Sequence, residues 1–100
     1  MIIVSQNKKI IVNFDNVAAI EIIEGENAEK EKLYGIGVAT TNGRDFFMGE
    51  FKKSEYAENV ISDITNKYRS YKFSPDKTNI IEPPKVYTIP GEEEAEKWGY

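Results

Sequence analysis

The chain has 100 residues, which corresponds to one domain. Hydrophobic residues make up 40% of it and aromatic residues 12%, so a globular core is expected. It contains no cysteine and no histidine, which excludes disulfides, thiolate chemistry, the usual zinc sites and imidazole acid–base catalysis. The net charge of −4 argues against nucleic-acid binding, because that binding depends on a basic surface.

The charge is unevenly distributed along the chain. Residues 1–72 contain ten Lys or Arg and eleven Asp or Glu, a balance of −1, whereas residues 73–100 contain three and six, a balance of −3. We therefore predict a folded domain over residues 1–72 and an acidic, proline-containing tail over residues 73–100 that is partly packed on it. No apolar run approaches the ~20 residues that span a bilayer, and the start lacks the features of a signal peptide. We expect a cytoplasmic protein without membrane contact.

Three short strands are predicted first, at Ile2–Val4, Lys9–Phe14 and Val17–Glu24, from their apolar and β-branched residues and the polar turns between them. A solvated loop rich in Glu and Lys follows, over Gly25–Lys32. It lacks the spaced Asp and Asn residues of a calcium loop, so we predict no metal site there.

The next two strands are predicted to form a hairpin around Asn42-Gly43. Asn-Gly between apolar runs is the strongest short-range signal for a two-residue type I′ turn, which places Thr41 opposite Arg44. Because side chains alternate along a strand, this register separates two faces. The predicted inward face contains Tyr34, Ile36, Val38, Phe47 and Phe51, and the other face contains Phe46 and Met48 opposite Gly35 and Gly37.

One amphipathic helix is predicted after the hairpin, from an N-cap at Ser54 to about Tyr71. Its apolar stripe comprises Ala57, Val60, Ile61, Ile64 and Tyr68. The element order predicts an α+β fold: a five-stranded, bent antiparallel sheet or partly open barrel, in an order similar to pleckstrin-homology domains, closed by one C-terminal helix. In the tail, Val86–Ile89 is predicted as a short edge strand and Glu92–Trp98 as up to two helical turns.

Several short motifs recur together in a known group of proteins. They are the opening residues 1–6 (MIIVSQ), the run 11–16 (IVNFDN), the segment Gly49-x-Phe51-Lys52 before the helix, and Val86-Tyr87-x-Ile89-Pro90. With these motifs the chain resembles small phage and mobile-element proteins of Gram-positive bacteria, although Met48 and the length beyond Pro90 depart from their pattern. The resemblance implies a setting, and it implies no activity, catalytic residue or cofactor.

Two segments are candidate contacts for a protein partner. The first is a strip of Phe46 and Met48, with Gly35 and Gly37 allowing another strand to approach. We favour the alternative that the chain's own Ile80-Ile81 or Val86–Ile89 covers this strip, since large exposed apolar patches are rare in monomers. The second is the acidic tip, with Tyr87, Trp98 and Tyr100 as docking anchors, and its alternative is a solvated end that frays.

The sequence contains no recognisable catalytic constellation, so we predict a non-enzyme. The favoured function is a protein-binding module that acts on a host protein, in its sharpest form an inhibitor of a defence system. An alternative is a small-ligand protein that binds a nucleotide signal, and an acidic mimic of nucleic acid ranks last. An edge strand, Ile2–Val4 or Val86–Ile89, also offers a homodimer contact. The candidate ligand contacts are Tyr34, Phe47, Tyr68, Arg44 and Arg69.

Overall fold

The computed structural model describes residues 1–73 and 86–97, and over these residues the fold is α+β, as predicted. None of the described helices is long and apolar enough to cross a membrane. The elements in chain order are β1 (Ile2–Val4), β2 (Ile11–Asn13), a short 3₁₀ helix (Phe14–Asn16), β3 (Val17–Glu26), β4 (Lys32–Thr40), β5 (Asp45–Phe51), α1 (Ser54–Phe73), β6 (Val86–Thr88) and α2 (Glu92–Lys97).

The strands lie in two three-stranded sheets, in the orders β2-β1-β6 and β3-β4-β5. Strand β1 pairs antiparallel with β2 and parallel with β6, whereas the second sheet is antiparallel throughout. The described strands therefore do not form the single five-stranded sheet or barrel that the sequence predicts, and the order similar to pleckstrin-homology domains is not confirmed. The 3₁₀ helix turns the chain between β2 and β3, and β6 occupies the remaining edge of β1. Because β1 lies between two strands, the predicted dimer edge at Ile2–Val4 is wrong.

Gln6 links the two sheets where they meet. Its backbone N–H donates to the Met48 carbonyl at 2.8 Å. Its side-chain Nε2 donates to the carbonyls of Glu50 at 3.1 Å and Pro90 at 3.0 Å, while Oε1 accepts from the Glu50 N–H at 3.1 Å. The amide side chain thus takes the place of a neighbouring strand beside β5 and also holds the segment that follows β6.

Helix α1 packs against one face of the β3-β4-β5 sheet and begins at Ser54, the predicted N-terminus. From its predicted stripe, Ala57, Val60 and Ile64 are fully buried. The sequence interpretation omitted Tyr56, which is 5% exposed and meets the Phe51 ring edge-on at a centroid distance of 6.2 Å. Both sheets and both helices contribute to one core, which includes Ile3, Val12, Ile36, Val38, Met48, Phe51, Tyr87, Ile89 and Ala95.

Residues 86–97 pack on the first strand and on the end of β5. The Ile89 N–H donates to the Val4 carbonyl at 3.0 Å, which extends the parallel pairing of β6 with β1. The Glu92 carboxylate accepts a hydrogen bond from the Lys52 N–H at 3.1 Å. The predicted strand and helix of this segment are both present. The predicted docking anchors Trp98 and Tyr100, and the pair Ile80-Ile81, lie outside the described residues.

Candidate binding surface

The turn between β4 and β5 has three residues, one more than predicted. The Thr40 N–H donates to the Arg44 carbonyl at 2.8 Å, and the Gly43 N–H donates to the Thr40 carbonyl at 3.0 Å. Gly43 has a φ of +86°, whereas the φ of Asn42 is not positive. This geometry fits a type I turn followed by a glycine bulge, so the predicted type I′ turn is wrong.

A second bulge, at Met48, compensates for the longer turn. Beyond it the observed pairs agree with the prediction, and Tyr34 lies opposite Phe51. Between the two bulges the register is shifted by one residue, and such a shift moves side chains to the other face of a sheet. The shifted pairs are Ala39 with Asp45, Val38 with Phe46 and Gly37 with Phe47.

The shift reverses the predicted places of three apolar side chains. Phe47, predicted inside, is 50% exposed, and Met48, predicted on the outer face, is 1% exposed in the core. Phe46 is half-buried and packs against the core. Met48 is therefore unavailable to a partner. The predicted partner-binding strip of Phe46 and Met48 is wrong, because Met48 lies in the core and Phe46 packs against it.

Gly35 and Gly37 do lie on the outer face, where two apolar side chains cover them. A Cβ atom on Gly35 would overlap the Phe47 ring, and one on Gly37 would lie 2.7 Å from Cδ1 of Ile23. Ile23 is 44% exposed, and it lines the same cleft of about 350 Å³ as Phe47. We call Ile23, Gly35, Gly37 and Phe47 the outer patch. Bare glycine backbone allows both side chains to lie flat on the sheet.

Acidic side chains surround the outer patch. Glu21 pairs with Gly37 and Glu50 with Gly35, while Asp45 pairs with Ala39, so all three share the face of the patch. All three are exposed, and Glu21 and Asp45 also line the cleft. In β3, β4 and β5, which are described in full, the strand positions on this face include no Lys or Arg. The patch is thus apolar at its centre and negative at its margin.

A second cleft, of about 430 Å³, lies between β2 and the β4–β5 turn, and we call it the turn cleft. The Thr41 N–H donates to the Asn16 carbonyl at 2.8 Å and so joins the two walls. The Arg44 guanidinium lies over the Phe46 ring, with Cζ 5.1 Å from the ring centroid. Apolar lining comes from Ile11, Val12 and Phe46, and the polar lining includes Asn13, Asn16, Thr41, Asn42 and Arg44.

The predicted ligand contacts are distributed over separate parts of the molecule. Arg44 lines the turn cleft, whereas Phe47 belongs to the outer patch. The Tyr68 hydroxyl donates to the Asp15 carboxylate at 2.6 Å, and its ring packs on Phe14. The remaining two, Tyr34 against the core and Arg69 exposed on α1, lie elsewhere. The five residues therefore do not form one concave site.

The predicted tail anchor Tyr87 is a core residue. It is 5% exposed, and the Lys67 ammonium lies 5.0 Å from its ring centroid. Among the described residues, no three Asp or Glu side chains are grouped so that they could hold a metal ion. Comparisons with protein-family models, curated proteins and solved structures found no match. The surface itself therefore has to support any statement about function.

Proposed function

We propose that this protein is a non-catalytic protein-binding module whose outer patch contacts the partner. The observation that supports this most is the exposure of Ile23 and Phe47, which line one cleft and cover the backbone of Gly35 and Gly37. A single exposed apolar residue is ordinary on a protein surface. Two of them over bare backbone, on a sheet face that α1 does not cover, form the type of site into which a partner inserts an apolar side chain.

The acidic margin indicates the chemistry of that partner. Glu21, Asp45 and Glu50 share the face with the patch, and none of the β3, β4 and β5 positions on that face is Lys or Arg. Complementary charge guides encounter and suppresses wrong partners. The partner surface therefore presents a bulky apolar side chain flanked by Lys or Arg. A second copy of this chain would place two acidic margins together, which like-charge repulsion opposes.

The setting of the protein is proposed on its sequence motifs. The opening residues 1–6 and the Val86-Tyr87-x-Ile89-Pro90 segment resemble phage and mobile-element proteins of Gram-positive bacteria. In that setting the partner is a host protein of the cytoplasm. In its most specific form, the proposal is that the partner is a component of a host defence system and that this contact inhibits it.

A matched pair of variants tests the proposal. Phe47→Asp places a carboxylate in the outer patch, and Val86→Asp makes a similar change on β6, where Val86 is 62% exposed. The full chain and both variants are immobilised and exposed to a Gram-positive host lysate, and bound proteins are quantified by mass spectrometry. We expect a partner that the full chain and Val86→Asp retain and Phe47→Asp loses. A partner retained by Phe47→Asp, or lost from both variants, would refute the assignment of the surface.

Charge reversal at the margin separates the partner chemistry from the apolar contact. Glu21→Lys and Asp45→Lys leave the patch itself in place but should slow association with a basic partner, because rim charges act mainly on the association rate. Unchanged or faster association would contradict a basic partner. Native mass spectrometry provides the last check: a dimer of the 11.4 kDa chain that Phe47→Asp converts to a monomer would make a second copy the occupant.

A further inference from the structure

The turn cleft is lined by hydrogen-bond donors around one cation. Arg44 supplies up to five N–H donors in a planar fork. The acceptor oxygens of two lining amides are already engaged within the chain: Oδ1 of Asn13 accepts from the Asp15 N–H at 3.0 Å, and Oδ1 of Asn42 accepts from the Thr40 hydroxyl. Their NH₂ groups are the part that remains for a ligand. Together with Arg44, these NH₂ groups favour a ligand that supplies acceptors.

The charge of the cleft points to an anion. The whole chain has a net charge of −4, yet the cleft lining includes Arg44 and no Asp or Glu. Within residues 1–73 and 86–97, the ion pair that the structure shows is Lys67 with Asp63, on α1, and no carboxylate lies within ion-pair distance of Arg44. The charge of Arg44 therefore remains available to bind an anionic group.

Thr40 positions the backbone of Arg44, and the Phe46 ring lies under its side chain. Its guanidinium lies over the Phe46 ring at 5.1 Å, and its backbone carbonyl and N–H are both bound by Thr40, at 2.8 Å and 3.2 Å. A guanidinium fork that stacks on a ring in this way matches the two oxygens of a carboxylate or a phosphate. Pre-organisation lowers the entropy that binding would otherwise cost.

The size and apolar lining of the cleft suit a small molecule. Its volume of about 430 Å³ falls in the range of roughly 300–1,000 Å³ that is common for small-molecule sites. Ile11, 66% exposed, and Val12 form an apolar wall beside the donors. We infer that the turn cleft binds a small molecule through its phosphate or carboxylate group, with Arg44 as the anion-binding residue. None of the outer-patch residues lines this cleft, so the inference stands independently of the proposed function.

The chain offers a matched control, because it contains two arginines that are both exposed: Arg44 lines the turn cleft, whereas Arg69 lies on α1. The ¹⁵N-labelled chain is titrated separately with sodium phosphate and sodium acetate at constant ionic strength. We expect the Arg44 Nε–H signal and the backbone amides of Thr41 and Asn42 to shift and saturate, while the Arg69 signal does not. A tighter response to phosphate than to acetate identifies a phosphate ligand, and the reverse identifies a carboxylate ligand.

Substitutions complete the test. Arg44→Gln should weaken the apparent affinity for the anion by roughly tenfold or more, because a guanidinium bound to an anion is among the stronger hydrogen-bonded contacts. Arg44→Lys should weaken it by less, and Arg69→Gln should leave it unchanged. Circular dichroism establishes that each variant is folded. Equal shifts of the two arginines, a response that does not saturate, or unchanged binding by Arg44→Gln would overturn the inference.

Discussion

Replacing Met48 and Phe47 separately by alanine distinguishes the observed hairpin, with its three-residue turn and bulge at Met48, from the predicted hairpin with a two-residue turn. Met48 is 1% exposed, and truncating a buried methionine to alanine costs about 2–5 kcal/mol of unfolding free energy, because a cavity remains. Phe47 is 50% exposed, so it keeps half of the roughly 1.5–3 kcal/mol that full burial provides. Its truncation should therefore cost about 1 kcal/mol. A two-residue type I′ turn would reverse the order, since it places Phe47 inside.

Urea unfolding followed by circular dichroism measures both losses. For a domain of this size, each 1 kcal/mol corresponds to a fall in melting temperature of about 4–8 °C. Met48→Ala should thus lower the melting temperature by roughly 8–40 °C, and Phe47→Ala by about 4–8 °C. Both variants should remain folded, because the unfolding free energy of a domain is usually about 5–15 kcal/mol. A loss for Phe47→Ala equal to or larger than that for Met48→Ala would refute the bulge at Met48.

Three further predictions concern the Gln6 side chain, the Tyr68 hydroxyl and Gly35. Gln6→Ala should lower the unfolding free energy by about 2 kcal/mol, since three partly exposed hydrogen bonds are lost at roughly 0.5–1.5 kcal/mol each. A loss below about 0.5 kcal/mol, measured by urea unfolding, would contradict the role of Gln6 in linking the two sheets. Tyr68→Phe should cost about 1 kcal/mol, because the hydroxyl donates to Asp15; unchanged thermal stability would show that this bond contributes nothing. Gly35→Ala should displace the Phe47 ring and weaken binding of the partner in the lysate capture assay. Gly25→Ala, with open space around its Cβ, should bind the partner as the native chain does. Equal binding by both variants would contradict the geometry of the outer patch.

Helix α1 shows what the sequence alone can predict. A capping serine and an apolar stripe at helical spacing are local signals, and they placed the helix start at Ser54 and identified Ala57, Val60 and Ile64 as core residues. Strand β1 was recognised in the same way with its observed bounds, whereas β3 runs two residues beyond its predicted end at Glu24 and β2 is shorter than the predicted Lys9–Phe14. Such features need no knowledge of distant residues, and the structure agrees with them.

The hairpin shows where local signals fail. Asn42-Gly43 is compatible with a two-residue loop and with a three-residue loop that ends in a glycine of positive φ, and the sequence does not distinguish them. The choice decides which of Phe47 and Met48 faces the core. Packing settles it, because Met48 belongs to the same buried cluster as residues of both sheets and α1. The sequence located the glycines of the outer patch but named the wrong side chains beside them.

The pairing of β6 with β1 has no local signal at all. Val86–Thr88 aligns with Ile2–Val4, more than eighty residues earlier, and the contact is parallel, although the earlier strands suggest an antiparallel meander. Gln6 likewise looks like an ordinary turn residue, yet its amide joins both sheets and the segment after β6. Contacts at this separation depend on the whole fold and are absent from any short pattern.

The most direct test of the outer patch is cross-saturation in the complex with the captured partner. The chain is prepared with protonated isoleucine methyl groups in a deuterated background, and the partner's protons are saturated. Ile23 lies in the patch, whereas Ile11, on β2, is more exposed at 66% and lies outside it. We predict a strong loss of the Ile23 methyl signal and none for Ile11. An unaffected Ile23 with attenuation at Ile11 or Ile61 would contradict the assignment of the outer patch as the partner-binding surface.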